Sequence, residues 1–181
     1  MFSFLKKSTP EQRTIEAIYG MIVAQARQPA FYAAFNVPDT VDGRFDMVLL
    51  HLWMVLRMLR QGPAEEGPAQ KLFDHFCTDM DDNLREMGVG DLTVPKRMQK
   101  FGEAFYGRSA AYDAALDAGH AELAAALNRN IFNEAGPANA GRLAAYVTGA
   151  LEQLDKVDRV AFARGEWQFP SVGGLAEGST R

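Results

Sequence analysis

Apolar residues recur at helical spacing along almost the whole chain, and no run alternates at the two-residue period of a strand. Between Pro10 and Ala26, the residues Ile15, Ile18, Tyr19, Ile22 and Ala26 form one stripe. Thr9 stands as N-cap, Pro10 at the first helical position, and Gln12 where a capping box wants Glu or Gln. A short turn of helix is predicted at Pro29–Phe35. The next long helix, Asp42–Arg60, is apolar almost all round: from Phe45 to Leu59 only Asp46, His51 and Arg57 interrupt it. Such a helix sits in the centre of a domain or in a membrane. A span needs about 20 apolar residues, and Arg44, Asp46, His51, Arg57 and Arg60 crowd this segment, so it reads as a core helix.

A third long helix is predicted from Pro68 to Met87, with Leu72, Phe73, Phe76, Met80, Leu84 and Met87 on one face. Gly88 ends it as a C′ glycine would, and Gly88-Val89-Gly90-Asp91 makes a tight loop. Thr93 is the expected cap of a fourth helix running to about Asp117, with stripe Val94, Met98, Phe101, Phe105, Tyr112 and Leu116 and a candidate kink at Gly107. A fifth helix covers Ala121–Phe132. A sixth is predicted from Pro137 through to about Arg164. Together these give an all-α, single-domain bundle of about six helices around a central apolar helix. Residues 1–9 form an N-terminal arm, 10–165 the helical domain and 166–181 a flexible C-terminal tail.

Length agrees with one domain, since 181 residues can bury a core without disulfides or a structural metal. The single cysteine, Cys77, cannot form an internal bridge, which fits a reducing compartment. A formal charge of −4 argues against a nucleic-acid protein, and no specific nucleic-acid sequence is expected as a partner. The opening Met1-Phe2-Ser3-Phe4-Leu5-Lys6-Lys7 has its apolar residues before its charges, unlike a secretory signal. It reads as a frayed terminus, with contact to a membrane surface as the alternative.

The search for chemistry points away from catalysis. Asp79, Asp81 and Asn83 mimic the opening of a calcium loop, but Leu84 and Gly90 occupy the positions that need Gly and Glu. His75 and Cys77 lie two apart on a helix and cannot easily share an ion. His51 reads as a core histidine with a satisfied hydrogen bond. No nucleophile elbow or phosphate-binding glycine loop is present. The expectation is a binding protein with no catalytic residues, no metal and no cofactor; an enzyme using His51 is the more distant alternative.

Arg108 stands apart because it projects from the apolar side of the fourth helix, where a guanidinium must reach water or meet a carboxylate. Its partner could lie in this chain or on another protein. Met80, Met87 and Met98 surround the turn between the third and fourth helices. Their stripe matches the buried face, so they are expected in the core; an open, adaptable methionine-lined groove is the alternative. With Leu72, Phe76, Met80, Leu84, Met98, Phe101 and Phe105 taken as core, the partner-binding residues narrow to Asp81, Arg85, Asp91, Lys96, Arg97 and Arg108.

These residues carry a resemblance. The stretches Leu72-Phe73-Asp74, Asp79–Leu92, Val94–Met98, Ala104–Arg108 and Ala111-Tyr112-Asp113 resemble the signature of the ubiquinol–cytochrome c chaperone family. Phe31-Tyr32, Pro38-Asp39-Thr40, Gly43-Arg44-Phe45 and Leu50-His51 are similar to it upstream. The resemblance covers roughly Ala17 to Arg164. It implies a non-enzymatic assembly factor for the cytochrome bc1 complex (respiratory complex III), with newly made cytochrome b or another bc1 subunit as client. Mitochondrial members work with a small partner protein and contact the ribosome. No presequence-like segment opens this chain, so a bacterial member is expected. It would be cytoplasmic, with peripheral contact to the inner membrane or the ribosome. The alternative is a helical adaptor or regulator of an unrelated soluble partner.

Overall fold

Thr9 opens the first helix as its sequence dictates. In the computed structural model, which describes residues 9–61 and 67–172, α1 runs Pro10–Ala26 with a complete capping box: the Thr9 hydroxyl accepts from the Gln12 N–H, and the Gln12 side chain accepts from the Thr9 N–H. There follow α2 (Pro29–Ala33), α3 (Val41–Arg60), α4 (Gly67–Glu86), α5 (Val94–Ala118), α6 (His120–Ile131), α7 (Pro137–Asp155) and α8 (Arg159–Ala163). Among the described residues these are six long helices and two of five residues, and the arrangement is all-α. The N-terminal arm up to residue 8 and the end of the predicted tail, 173–181, lie outside the described residues.

The apolar run of α3 makes it the axis of the bundle. Eleven of its residues are buried, from Gly43 to Met58, and α1, α4, α6, α7 and α8 pack around it. Gly43 is needed there because a Cβ would lie 2.0 Å from the Pro38 carbonyl oxygen. The three polar interruptions of this helix each tie it to another. Asp46 pairs with Arg108 of α5, His51 bonds Tyr146 of α7 at 3.0 Å, and Arg57 bonds Asp113 of α5 at 2.6 Å. Asp113 also accepts from the Trp53 indole N–H at 3.0 Å. A polar side chain in such a helix needs a partner on the neighbour, since an unpaired one would lose its hydration with nothing in return.

His51 is the most buried of these groups. Its Nδ1 lies 2.7 Å from the Met47 carbonyl and its Nε2 3.0 Å from the Tyr146 hydroxyl, which itself accepts from Gln25. Both ring nitrogens are therefore engaged. Burial disfavours the imidazolium and lowers the pKa from 6.5 to about 4. Above pH 6.5 folded and unfolded chains both hold this histidine neutral, and it adds no pH dependence. Between pH 6.5 and about 4 only the unfolded chain takes up the proton, so stability falls as pH falls. The loss between pH 7 and pH 5 should be about 2 kcal/mol. Urea unfolding at the two pH values measures it, and His51→Gln should flatten that slope. Parallel slopes in the two proteins would assign the acid sensitivity to other groups.

Two helix predictions need correction. Thr93 does not cap α5: its backbone is helical and its side chain makes no cap hydrogen bond. The turn is closed by backbone bonds instead, from the N–H groups of Thr93 and Val94 to the Gly90 carbonyl. The predicted sixth helix divides at Lys156–Asp158, because the Asp158 carboxylate accepts from the N–H groups of Val160 and Ala161 and starts a new helix. Packing continues beyond Gly165. With Gly165 at φ +74°, the chain turns back. Trp167 is buried, stacked on Phe162 at 4.7 Å, and donates its indole N–H to the Phe162 carbonyl. Phe169 meets His51 edge-on, and Val172 is buried.

Candidate functional site

Helices α4 and α5 form an antiparallel hairpin whose base joins the bundle and whose far end stands clear of it. Near the base, Leu72 and Phe76 are fully buried, Tyr19 of α1 donates its hydroxyl to Asp79 at 2.7 Å, and Lys71 pairs with Glu11. Beyond Asp79 the cover thins. Met80, Leu84, Met98 and Phe101 are half-buried, Met87 is 70% exposed and Leu92 90%. The expectation that the whole stripe is core therefore holds near the base and at Val94, which is fully buried, but fails at Met87. Helical spacing fixes which side faces the partner helix, but past the last contact with α1 and α3 the described residues cover that side only in part.

At the tip Gly88 adopts φ +81°, and the Val89 N–H reaches back to the Leu84 carbonyl at 3.1 Å, the pattern of a glycine-terminated helix. Arg85 holds this turn: its Nε donates to Asp81 at 2.6 Å and its Nη1 to Asp91. Asp81, Arg85 and Asp91 thus meet, as a small exposed ion cluster. Asn83 donates to the Asp79 carbonyl, so the calcium-like triad is spent on local bonds. Lys96 and Arg97 are exposed and enter no ion pair among the described residues.

Arg108 lies eleven residues further along α5 than Arg97, roughly 16 Å at 1.5 Å per residue. It belongs to a different feature, a cleft of about 360 Å³ between α3, α5 and the end of α6. The floor is aromatic: Phe45 packs on Phe101 at 5.6 Å, Phe101 on Phe76 at 5.3 Å, and Phe105 completes it. The rim is polar, with Asp42, Asp46, Arg108, Arg129, Asn130 and Asn133. Arg108 donates to Asp46 across the cleft, which answers the open question of its carboxylate within this chain. Burial still holds the Asp46 carboxyl above its usual range, outweighing the guanidinium beside it. The six sequence-selected residues therefore divide between tip and cleft. Arg129 and Asn130 of α6, and Asn133 just after it, escaped sequence reasoning because nothing in a short amphipathic helix marks which end meets a neighbour.

A larger and more apolar hollow of about 470 Å³ lies between α1, α2 and the start of α3, away from the residues of the tip and the cleft. Its Arg44 is bound to Asp39 at 2.6 Å, and Tyr32, with its hydroxyl donating to the Ala26 carbonyl, is the aromatic ring in its wall.

An all-helical domain with a projecting hairpin and an aromatic-floored, charged-rim cleft is the class that this geometry defines. Residues 33–169 match the family described as ubiquinol-cytochrome C chaperone, and the chain belongs to that family. It is similar to the ubiquinol-cytochrome-c reductase complex assembly factor 1 of Xenopus laevis, 28% identical over 144 residues covering 78% of this chain and 72% of that protein. It is also similar to mitochondrial protein CBP3 of Saccharomyces cerevisiae, 28% identical over 79% of this chain and 45% of that one. The chain spans about half of the human assembly factor, 48% of its length. Among solved structures, the Cbp3 homolog from Brucella abortus superposes with a TM-score of 0.81 at 41% identity, over 94% of this chain and 96% of that one. The higher identity to a bacterial protein agrees with the expected bacterial member.

Proposed function

We propose that this chain is a non-catalytic assembly chaperone of the cytochrome bc1 complex, and that it holds newly made cytochrome b before that subunit is built in. The family match over residues 33–169 carries the assembly role, since the relatives it brings together are named for assembly of ubiquinol-cytochrome c reductase. The cleft supports the holding step. A helical membrane segment is apolar with sparse polar groups, so its holder needs an apolar floor and a few fixed polar contacts. Phe45, Phe101 and Phe105 supply the floor; Arg108, Asp46 and Arg129 supply the contacts. Arg108 acts as a bridge that keeps α3 and α5 at the right spacing while its remaining N–H groups face the guest. At the tip, Arg85 with Asp81 and Asp91 keeps the turn in shape, and Lys96 and Arg97 stay free for a partner.

A binding role also suits the groups that could otherwise do chemistry. Both nitrogens of His51 are held in buried bonds, and burial raises the Cys77 thiol pKa, keeping the thiol protonated. A photo-crosslinking residue placed at Phe101 in living cells tests the reading: cytochrome b should be the principal adduct during its synthesis. Adducts confined to soluble proteins would replace this reading with that of an adaptor.

A further inference from the structure

The tip of the hairpin has a use that the cleft does not explain. Leu92 and Met87 are 90% and 70% exposed at the end of a projection, on either side of a turn containing Gly88 and Gly90. Beside them, α5 begins with Lys96, Arg97 and Lys100, all exposed, in a chain whose formal net charge is −4. Cations at the start of a helix oppose its dipole, each at a cost of about 0.3–1 kcal/mol. No side chain caps that start either, because Thr93 does not bond there. Three lysine and arginine side chains and the positive end of a 25-residue helix therefore point toward one region of solvent beside two exposed apolar side chains. The acidic side chains nearby are Asp91 in the turn, which with Asp81 is held by Arg85, and the exposed Asp82 and Glu86 on α4. At 100° per residue, positions 82 and 86 lie away from the Phe76–Met80 face that α5 covers. The hairpin thus has a basic outer edge on α5 and an acidic one on α4.

An apolar point flanked by cations fits an anionic, apolar-cored surface. A convex tip with two apolar side chains offers too little area for a stable protein interface, which takes about 800 Å² per partner. A bilayer requires no matching shape: each inserted side chain contributes separately, and each basic residue near an anionic surface adds about 1 kcal/mol. We infer that the α4–α5 tip docks peripherally on an anionic lipid bilayer, with Leu92 and Met87 entering the headgroup–acyl boundary and Lys96, Arg97 and Lys100 meeting lipid phosphates. Docking of this kind stands independently of which client fills the cleft.

Co-flotation of the full chain with vesicles tests it. Vesicles containing phosphatidylglycerol should carry the protein at low salt, pure phosphatidylcholine vesicles should not, and added salt should release it. Met87→Ser with Leu92→Ser, and separately Lys96→Glu with Arg97→Glu, should each weaken flotation more than tenfold, two basic residues together being worth about thirtyfold. These positions are exposed, so unchanged thermal melting should accompany the loss. The sequence offers a competing anchor in Phe2, Phe4, Lys6 and Lys7. Flotation that survives both tip variants and is lost in Phe2→Ser with Phe4→Ser overturns the proposal. So does the absence of flotation with anionic vesicles, or equal flotation with uncharged ones.

Discussion

Trp167→Ala should destabilise the folded chain by about 3–5 kcal/mol, the cost of emptying a buried aromatic site. The residue is 6% exposed, stacks on Phe162 with the rings 5° from parallel, meets Phe169 edge-on at 5.1 Å and donates to the Phe162 carbonyl at 3.0 Å. It also fastens the segment that lids the His51 pocket, where Gln25 bonds both the Tyr146 hydroxyl and the Pro170 carbonyl. At about 2–4 °C per kcal/mol for a domain of this size, the melting midpoint should fall by about 10 °C. Calorimetry or a circular-dichroism melt measures it. Trp167→Phe, which retains a ring and loses the N–H, should cost clearly less. A midpoint within 2 °C of the original, on the same scale, would mean that residues after Gly165 do not belong to the cooperative core.

Arg108→Glu should have the largest effect on function. It removes the cation that faces Asp46 and leaves carboxylates at 42, 46 and 108 around one cleft. The reversed charge takes away the cation a guest would meet at the rim, and affinity should fall more than tenfold. Membranes from cells carrying this variant should contain little assembled bc1 complex. Because the pair also joins α3 to α5, a loss through misfolding has to be separated from a loss of grip. The exchange Asp46→Arg with Arg108→Asp keeps an ion pair between the helices but inverts where its charges point. It should recover melting behaviour and leave bc1 assembly impaired. Recovery of assembly together with stability would reduce Arg108 to a structural tie.

Much of the framework was readable from the chain because local rules and packing agree there. The Thr9–Gln12 capping box, the apolar run of α3 and the Gly88 stop each have one physical solution, and the structure adopts it. What sequence could not supply was pairing across distance. Asp46, His51 and Arg57 stood out as interruptions, but their partners lie 56 to 95 residues away. The sixth helix shows two local signals in competition: the apolar stripe continues through Val157, while Asp158 offers a stronger cap to a new helix. Trp167 follows a glycine and precedes a proline and a glycine-rich end, so its composition reads as a tail, although its rings found a place in the core. The tip misled in the opposite sense. Met87 keeps perfect register with a buried stripe, yet it lies where the bundle has already ended. Periodicity reports which side of a helix faces inward, and it is silent on how far the interior extends.

Two surfaces result from this arrangement, one a polar-rimmed cleft with aromatic rings in its floor at Arg108, the other a basic-edged point at Leu92. Their separation along α5 would let a chaperone hold a client segment while resting against the membrane that the client must enter. The assembly role itself is open to one direct measurement, the content of assembled bc1 complex in membranes of a strain lacking this gene, read from its b- and c1-type haem spectra and by native electrophoresis. The complex should be depleted, other respiratory complexes should be retained, and the wild-type gene should restore it. Undiminished bc1 complex in that strain would show that the chain does not serve its assembly.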